Sequence, residues 1–474
     1  MMRPPVLCAL VIALAAGLAG QPYSESPRPA RTLAEMEPVL QKIAAWEFNQ
    51  SRAPLYEFSE FLQGALGSPA ELRPIESRLL LVLQSNATLA GKDYVCRQLS
   101  AIGGAASVPV LSGMLLRPET SDMARYALDG IPGGASAEAL LAALPKASGK
   151  IGIGIVNSLG QRRIAKSVPA LKALLTPPGG DAWTAAIGAL AAIGDAAALE
   201  VLAGAGHSEA YLRCADKVAA GADKAAALKA YRRLLAAGEP EMVRAGALQG
   251  LVALTGKEAL PDLDREAGSA SPKMQAAAIR LLNGMPGPEI TKTLTGLFPK
   301  LPAARQVQLV AALGDRGDVA ARPVVTQALQ SGERDVRATA AKALGRLGNG
   351  SSVTLLAELA ARSEGTEQAA AREALTRMRG ADAEAAIVSG IGAGAGGARL
   401  ELIRAAGDRG LAAADDALLR AARDPGPEVR REAMRALRNA AGPAQSKALL
   451  GLLLKAEDES ARRDAVRALA AALR

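Results

Sequence analysis

Aromatic side chains make up only 3% of this 474-residue chain: four Phe, two Trp and six Tyr. That is too few large rings to fill the core of a β-sandwich or barrel. A single histidine and three cysteines exclude most metal chemistry and a disulfide-stapled scaffold. The β-branched runs that a βαβ reading needs are missing too. At 50% hydrophobic the chain is too apolar for intrinsic disorder, and at 22% charged it does not read as a multi-span membrane protein. Length alone would allow roughly three ordinary domains. What is abundant is Ala, Leu, Gly and Arg, a composition suited to close-packed helices.

Residues 1–20 read as a signal peptide. Arg3 is the one basic residue, an apolar run extends from Val6 to Leu18, and small Ala19 and Gly20 precede a cleavage point before Gln21. The run is short for a membrane span, and Pro27 and Pro29 follow at once. Cys8 lies inside the run rather than after it, which argues against a lipid-modified N-terminus. The mature chain is therefore expected to be exported, periplasmic or extracellular, with no integral membrane segment once the leader is removed. Residues 21–31 read as a flexible tether.

From about residue 90 the chain repeats. An apolar-periodic stretch ends in an aliphatic residue, usually with Gly within two positions, and a shorter stretch follows. The endings fall at Ile102, Ile131, Leu159, Ile193, Ala220, Leu254, Met285, Leu313, Leu347, Met378, Ala406 and Ala440. Leu254 and Leu347, Met285 and Met378, and Leu313 and Ala406 are each 93 residues apart. Gly314-Asp315-Arg316-Gly317 returns at the same distance as Gly407-Asp408-Arg409-Gly410.

Each unit reads as two helices. Val336, Ala340, Leu344 and Leu347 fall on one face of a 3.6-residue helix, and Val429, Ala433, Leu437 and Ala440 repeat them. The following Gly is expected to end the helix in a left-handed cap. In the second helix Val168, Leu171 and Leu175 share a face, with Ser167 as the expected N-cap. Pro169, Pro109, Pro261 and Pro323 sit in first-turn slots, where a missing N–H costs nothing. One hairpin cannot bury its own stripe, so hairpins must stack. The expected fold is all-α, an α-solenoid of about twelve hairpins over residues 91–474.

Asp335-Val336-Arg337 followed by Ala343-Leu344 and Leu347-Gly348 resembles HEAT repeats, in the short bacterial HEAT-like or phycobilisome-lyase-type variety. So does Glu428-Val429-Arg430 followed by Ala436-Leu437, and Ser107-Val108-Pro109 and Ser167-Val168-Pro169 match the start of the second helix. The resemblance loosens around Ala220 and Met285. It implies a curved scaffold whose second helices line a concave, partner-binding face. HEAT-like iron enzymes need repeated His-Glu pairs, which this chain cannot supply. Bilin-lyase activity, hinted by the family name, finds no residue here to carry it.

Cys96 and Cys214 sit four units apart, so helix layers about 10 Å thick would hold them ~40 Å from each other. A disulfide needs Cα atoms within about 7 Å. Two buried free thiols are expected.

Residues 32–90 form a separate segment. Residues 21–90 as a whole hold Tyr23, Trp46, Phe48, Tyr56, Phe58 and Phe61, half of all the aromatics, and none follows Phe298. Leu33 to Gln84 reads as two or three helices broken at Pro54, Pro69 and Pro74. Two roles suit it: a cap sealing the end of the stack, or a docking site rich in hot-spot residues.

His207 reads as a solvent-facing residue in a connector rather than a catalytic or metal-binding one. Gly392-Ala393-Gly394-Ala395-Gly396-Gly397 spells a dinucleotide motif without the strand it would need. It reads instead as a flexible stretch or a poorly formed second helix. Arg316-Gly317-Asp318 matches a cell-adhesion tripeptide, but one module later the sequence is Arg409-Gly410-Leu411, so it reads as a coincidence of the turn. Arg244, Arg337 and Arg430 recur every 93 residues near Glu241, Asp335 and Glu428. First-turn pairing between adjacent helices is favoured there over a row of contacts to an anionic partner.

The formal charge of +9 divides as 0 over residues 1–150, +7 over 151–350 and +2 over 351–474, with acids and bases interspersed. Nucleic-acid binding would ask for more concentrated base and stacking aromatics. The chain is thus expected to be a monomeric, non-enzymatic exported scaffold for an unidentified protein partner, with no cofactor and no assignable catalytic or metal site. Capture of an anionic envelope glycan or lipid headgroup by the basic central repeats is the alternative, and an enzyme site in the N-terminal region the third reading.

Overall fold

A computed structural model describes residues 32–456 and 459–473, with no strand among them. The expected signal peptide (1–20) and tether (21–31) lie outside the described residues. The chain divides into two compact units, Met1–Ala205 and Gly206–Arg474.

In the first unit Leu33–Ala44, Ala53–Ala65 and Pro69–Gln84 precede four hairpins. The first helices of these hairpins are Leu89–Ile102, Ser121–Gly130, Gly149–Gln161 and Gly180–Ile193. Their second helices are Val108–Met114, Gly134–Ala143, Val168–Ala173 and Ala196–Ala203. The second unit holds eight more, from Ser208–Ala219 with Lys224–Leu234 to Pro427–Ala440 with Ser446–Leu454, and then the single helix Glu459–Ala472. Within each unit first helices pack on first helices in chain order. Each unit is therefore an α-solenoid, and the described residues make twelve complete hairpins, the number the periodicity predicts.

The aliphatic endings mark real helix ends. Ile102, Ile193, Leu347 and Ala440 are terminal residues, and Ile131, Ala220, Met285 and Met378 come one residue later. The other four lie in a last turn. Val336, Ala340, Leu344 and Leu347 are all buried, whereas in the copy Val429 and Ala440 are only half-buried. Pro109, Pro169, Pro261 and Pro323 occupy first-turn positions as expected.

The scarcity of aromatics follows from how closely the first helices approach. A Cβ on Gly160 would lie 2.5 Å from Ala189 Cα, one on Gly407 2.5 Å from Ala436 Cα, and one on Gly314 2.7 Å from Ala343 Cβ. Glycine meets alanine 29 residues on in each case. Backbones that nearly touch leave no room for rings between them.

Several local expectations need correction. Left-handed caps occur at Gly194 and Gly317, but Gly103 and Gly348 are extended (φ −66° and −65°). Those two glycines are demanded by crowding instead, since a Cβ would come within 2.5 Å of Leu99 O and of Leu344 O respectively. Ser167 does not cap the helix after it: its hydroxyl donates to Ile164 O at 2.6 Å across a 3-10 turn, Ala165–Ser167. Leu175 falls beyond the end of Val168–Ala173 and is only half-buried. Pro74 lies inside Pro69–Gln84 without breaking it.

Cys96 and Cys214 are both buried and are not joined in a disulfide. Burial pushes the Cys96 thiol up to about 12, with Asp93 adding to the shift. The thiolate is the reactive form. An alkylating reagent at pH 8 is thus expected to leave Cys96 unmodified in the native chain and to label it in denaturant, read by peptide mass mapping.

Candidate partner-binding surfaces

The recurrent Gly-x-Arg at the end of a first helix explains itself once neighbours are in place. The glycine admits the next helix, and the arginine reaches back to the end of the previous one. Arg162 donates to the carbonyls of Leu128, Asp129 and Ile131 at 2.6, 2.7 and 3.1 Å. Arg316 donates to Met285 O at 2.6 Å and Gly287 O at 2.7 Å, and Arg409 to Met378 O at 2.8 Å. Except for Gly287 O, which belongs to the N-cap of Pro288–Leu297 and also accepts from Ile290 N, these carbonyls belong to the ends of first helices and have no partner within their own helix. The cell-adhesion tripeptide is consumed by this arrangement. Arg316 Nε donates to Thr291 Oγ1 at 2.8 Å, and that hydroxyl donates to Asp318 at 2.6 Å.

Of the arginines spaced at 93, two pair with other acids than those nearest in sequence and the third binds backbone carbonyls. Arg244 pairs with buried Glu266 at 2.7 Å in the second helix of its own hairpin, Leu260–Ala267. Arg337 makes a two-pronged contact with Glu367 of the next first helix, Gly365–Arg377, at 2.5 and 3.1 Å. Arg430 donates to the Asp424 and Pro425 carbonyls. The charge chain continues from Arg372 to Glu401 at 2.7 Å, and from Arg404 to Glu401 at 2.7 Å and Glu432 at 3.1 Å. Burial alone would raise the Glu401 carboxyl, but Arg372 and Arg404 hold it below its ordinary value. Pairs of this kind add little net stability, because desolvation offsets attraction, yet they fix which helix meets which.

Second helices are tied by a different device. The Asp382 carboxylate accepts from Gly350 N at 2.9 Å, capping the neighbouring helix from the next repeat. Glu76, buried, accepts from Gly104 N at 2.8 Å and Ser107 Oγ at 2.6 Å. His207 caps Ser208–Ala219 through Nδ1, which accepts from Ala210 N at 3.3 Å. It is half-buried rather than solvent-facing, because an N-cap must fold back over its own helix. The 392–397 glycines span an inter-repeat junction and not a poorly formed second helix. Ala381–Ala393 is a full 13-residue helix, and Gly394 and Ala395 make the turn into Gly396–Asp408.

One buried acid lacks a full set of partners. Asp415 stands 93 residues after Arg322, whose Nε donates to Leu347 O at 2.6 Å. Asp415 Oδ1 is buried without a hydrogen bond. Burial, and then the neighbouring Asp416, raise its pKa. An acid whose folded pKa exceeds its unfolded one favours folding at low pH and loses that contribution as pH rises through the folded value. Asp415→Asn is thus expected to stabilise the protein by up to about 1 kcal/mol at pH 7. The gain should vanish near pH 3 in denaturant titrations.

Three surfaces remain open to a partner. Along the second helices each turn offers a small or polar exposed residue: Pro109 and Gly113, Glu138 and Ala142, Lys172, then in the second unit Lys229, Lys292, Gln327, Thr354 and Ser389. Along the first helices a groove of about 270 Å³ is lined by Asp315, Lys342, Arg346, Glu373 and Arg377, and Arg346 and Arg377 pair there with Asp315 and Glu373. At the N-terminal end the aromatics split. Trp46 and Phe58 are buried, Phe61 is half-buried, and Phe48 and Tyr56 stay exposed at 69% and 66%. Trp46 donates to Ser51 O at 3.0 Å, and Phe58 meets the Tyr94 ring edge-on at 6.2 Å, joining this segment to Leu89–Ile102. Among the described residues no three His, Cys, Asp or Glu side chains converge as metal ligands would, and no helix is long and apolar enough to cross a membrane.

Residues 300–376 and 387–470 match the family model for HEAT repeats. Those two stretches carry HEAT repeats. No curated protein matches it. Among solved structures it is similar to the karyopherin Kap121p bound to the extreme C-terminus of the protein phosphatase Cdc14p, at 14% identity and a TM-score of 0.34, covering 93% of this chain and 50% of that one. Kap121p bound to Nup53p gives 13% identity and a TM-score of 0.35 over the same shares. Human deoxyhypusine hydroxylase gives 20% identity and a TM-score of 0.25 over 58% of this chain and 96% of that one. The chain thus spans about half the length of the karyopherin chains it matches. The hairpins of this chain use short second helices, six to thirteen residues long.

Proposed function

We propose that this HEAT-repeat protein is an exported, non-enzymatic scaffold that holds a protein partner along its second helices. The observation that carries the reading is the division of labour between the rows. Arginines and acids of the first helices are spent on neighbouring repeats, while the second helices repeat one open ridge per hairpin. A ridge of that kind suits an extended polypeptide better than a small substrate. Export rests on the leader features of residues 1–20, and a mature N-terminus at or near Gln21 in the secreted fraction is its test.

Capture of an anionic polymer is less favoured. Arg162, Arg244, Arg316 and Arg337 all lie in the basic central stretch, and all are engaged within the fold. An enzyme site in the N-terminal segment is less favoured too, because the buried carboxylate Glu76 there is committed to Gly104 and Ser107.

A photo-crosslinking residue placed at Lys292, Gln327 or Ser389 on second helices, and at Arg280 or Lys342 on first helices, separates the rows. Adducts in the native envelope are expected from the second-helix positions. Adducts from first-helix positions alone would overturn the proposal.

A further inference from the structure

Two grooves on the first helices of the second unit occupy the same place in the repeat. In the groove of about 270 Å³, Arg334–Leu347 contributes Thr339, Lys342, Ala343 and Arg346, and the first helix before it contributes Ala311, Gly314 and Asp315. A larger groove, of about 430 Å³, lies between Ser208–Ala219 and Glu241–Thr255. Gly246, Gln249, Gly250 and Ala253 line it, each 93 residues before its counterpart. Asp216, Ala219 and Ala220 line the other side, each 95 residues before theirs.

The side chains that close the later groove are stripped from the earlier one. Arg346 crosses its seam to pair with Asp315, whereas the counterparts of that pair are Ala253 and Ala220. Thr339 and Lys342 shorten to Gly246 and Gln249. Ala343 becomes Gly250, where a Cβ would lie 2.5 Å from Tyr231 Cε1 and 2.8 Å from its hydroxyl oxygen. The missing methyl lets Tyr231 rise from the second helix Lys224–Leu234 and donate its hydroxyl to Asp216 Oδ1 at 2.8 Å. Tyr231 is buried and makes the floor, while Asp216 stays exposed beside it. Among the described residues Asp216 is the one charged side chain lining this groove. The phenol occupies one of its oxygens and neutralises none of its charge.

We propose that this groove receives an arginine side chain from a protein partner, seated between Ala220 and Ala253 and paired with Asp216. The partner supplies from outside what Arg346 supplies to the later groove from within the chain. A lone carboxylate asks for a cation, and walls of glycine and alanine admit a long side chain whose aliphatic stem lies on apolar surface. A guanidinium bonds a carboxylate through more than one N–H and keeps donors for the Gln249 amide oxygen, which an ammonium reaches less well. The groove lies on first helices, apart from the ridge of second helices, so this anchor does not depend on that ridge.

The probe is a fluorescein-labelled peptide of three Gly-Ser-Arg repeats, followed by anisotropy against the full chain at physiological salt. The chain is expected to bind it, and to bind the same peptide with citrulline in place of arginine about tenfold more weakly or worse. Asp216→Asn should weaken binding of the arginine peptide about tenfold. Ala253→Arg should weaken it at least as much, by placing in this groove the side chain that closes the other. Both residues are exposed, and unchanged thermal melting would show that the fold survives. Asp335→Asn removes an equal charge from an exposed first-turn position of another first helix and should leave binding within about twofold. Absence of binding, equal binding of the citrulline peptide, indifference to Ala253→Arg, or an equal loss from Asp335→Asn would overturn the proposal.

Discussion

Arg162→Ala is expected to destabilise the first unit by about 3 kcal/mol, the largest loss from any single side chain on the seam between hairpins. The guanidinium bonds three carbonyls at the end of Ser121–Gly130, and also Gly133 O at 3.3 Å and Ser136 Oγ at 2.8 Å. Removing it leaves the Leu128 and Asp129 carbonyls without this donor, while Ile131 O keeps the Ser136 hydroxyl at 3.0 Å. A hydrogen bond to a charged group contributes about 1.5–3 kcal/mol, and bonds from one fork are not additive, so a value near the upper end of a single bond is the reasoned figure. Arg162→Lys should recover little, because an ammonium is a point donor and cannot span carbonyls that a planar fork reaches at once. In a stack where each repeat touches only its neighbours, damage stays local. Hydrogen exchange should therefore quicken at residues 128–137 and 158–164, while the second unit keeps its protection. Uniform quickening across both units would contradict this account.

Gly407→Ala is expected to cost about 2–3 kcal/mol, although alanine is the better helix former by about 1 kcal/mol. The added methyl would sit 2.5 Å from Ala436 Cα and 2.7 Å from its Cβ, against backbone that cannot swing aside as a long side chain would. Gly160→Ala meets Ala189 in the same way. The contrasting case is Gly188, mid-helix in Gly180–Ile193, where a Cβ would meet nothing within 4 Å. Gly188→Ala should stabilise by about 0.5–1 kcal/mol. Opposite signs for two glycine-to-alanine changes in first helices, measured by denaturant unfolding, would establish that interhelix spacing and not helix propensity sets the demand for glycine. Equal signs would refute it.

The helix ends were legible because they are written in local terms. Leu347 and Ile193 end helices that their own four-residue spacing announces, and proline marks the start of second helices because φ and the missing N–H act on one residue. Other features were legible in position but not in cause. Gly348 was foreseen after a helix end as a left-handed cap; its real constraint is Leu344 O and Met378, and Met378 lies 30 residues away in sequence. Arg337 was expected beside Asp335, yet its partner is Glu367, because a guanidinium on one helix reaches the next helix as readily as its own first turn. Pro74 suggested a break that tertiary packing overrides.

By itself the sequence determined that the chain is a linear series of helical hairpins, since a period of about 30 residues with an apolar stripe on each helix has few other ways to leave water. It could not determine which acid answers which arginine, why each glycine is a glycine, or that Phe48 and Tyr56 face outward while Trp46 and Phe58 do not. Those depend on distances between residues some 30 or more apart in the chain, set only when one hairpin lies against the next. Periodicity is a property of the chain, but complementarity belongs to surfaces, and surfaces exist only after stacking.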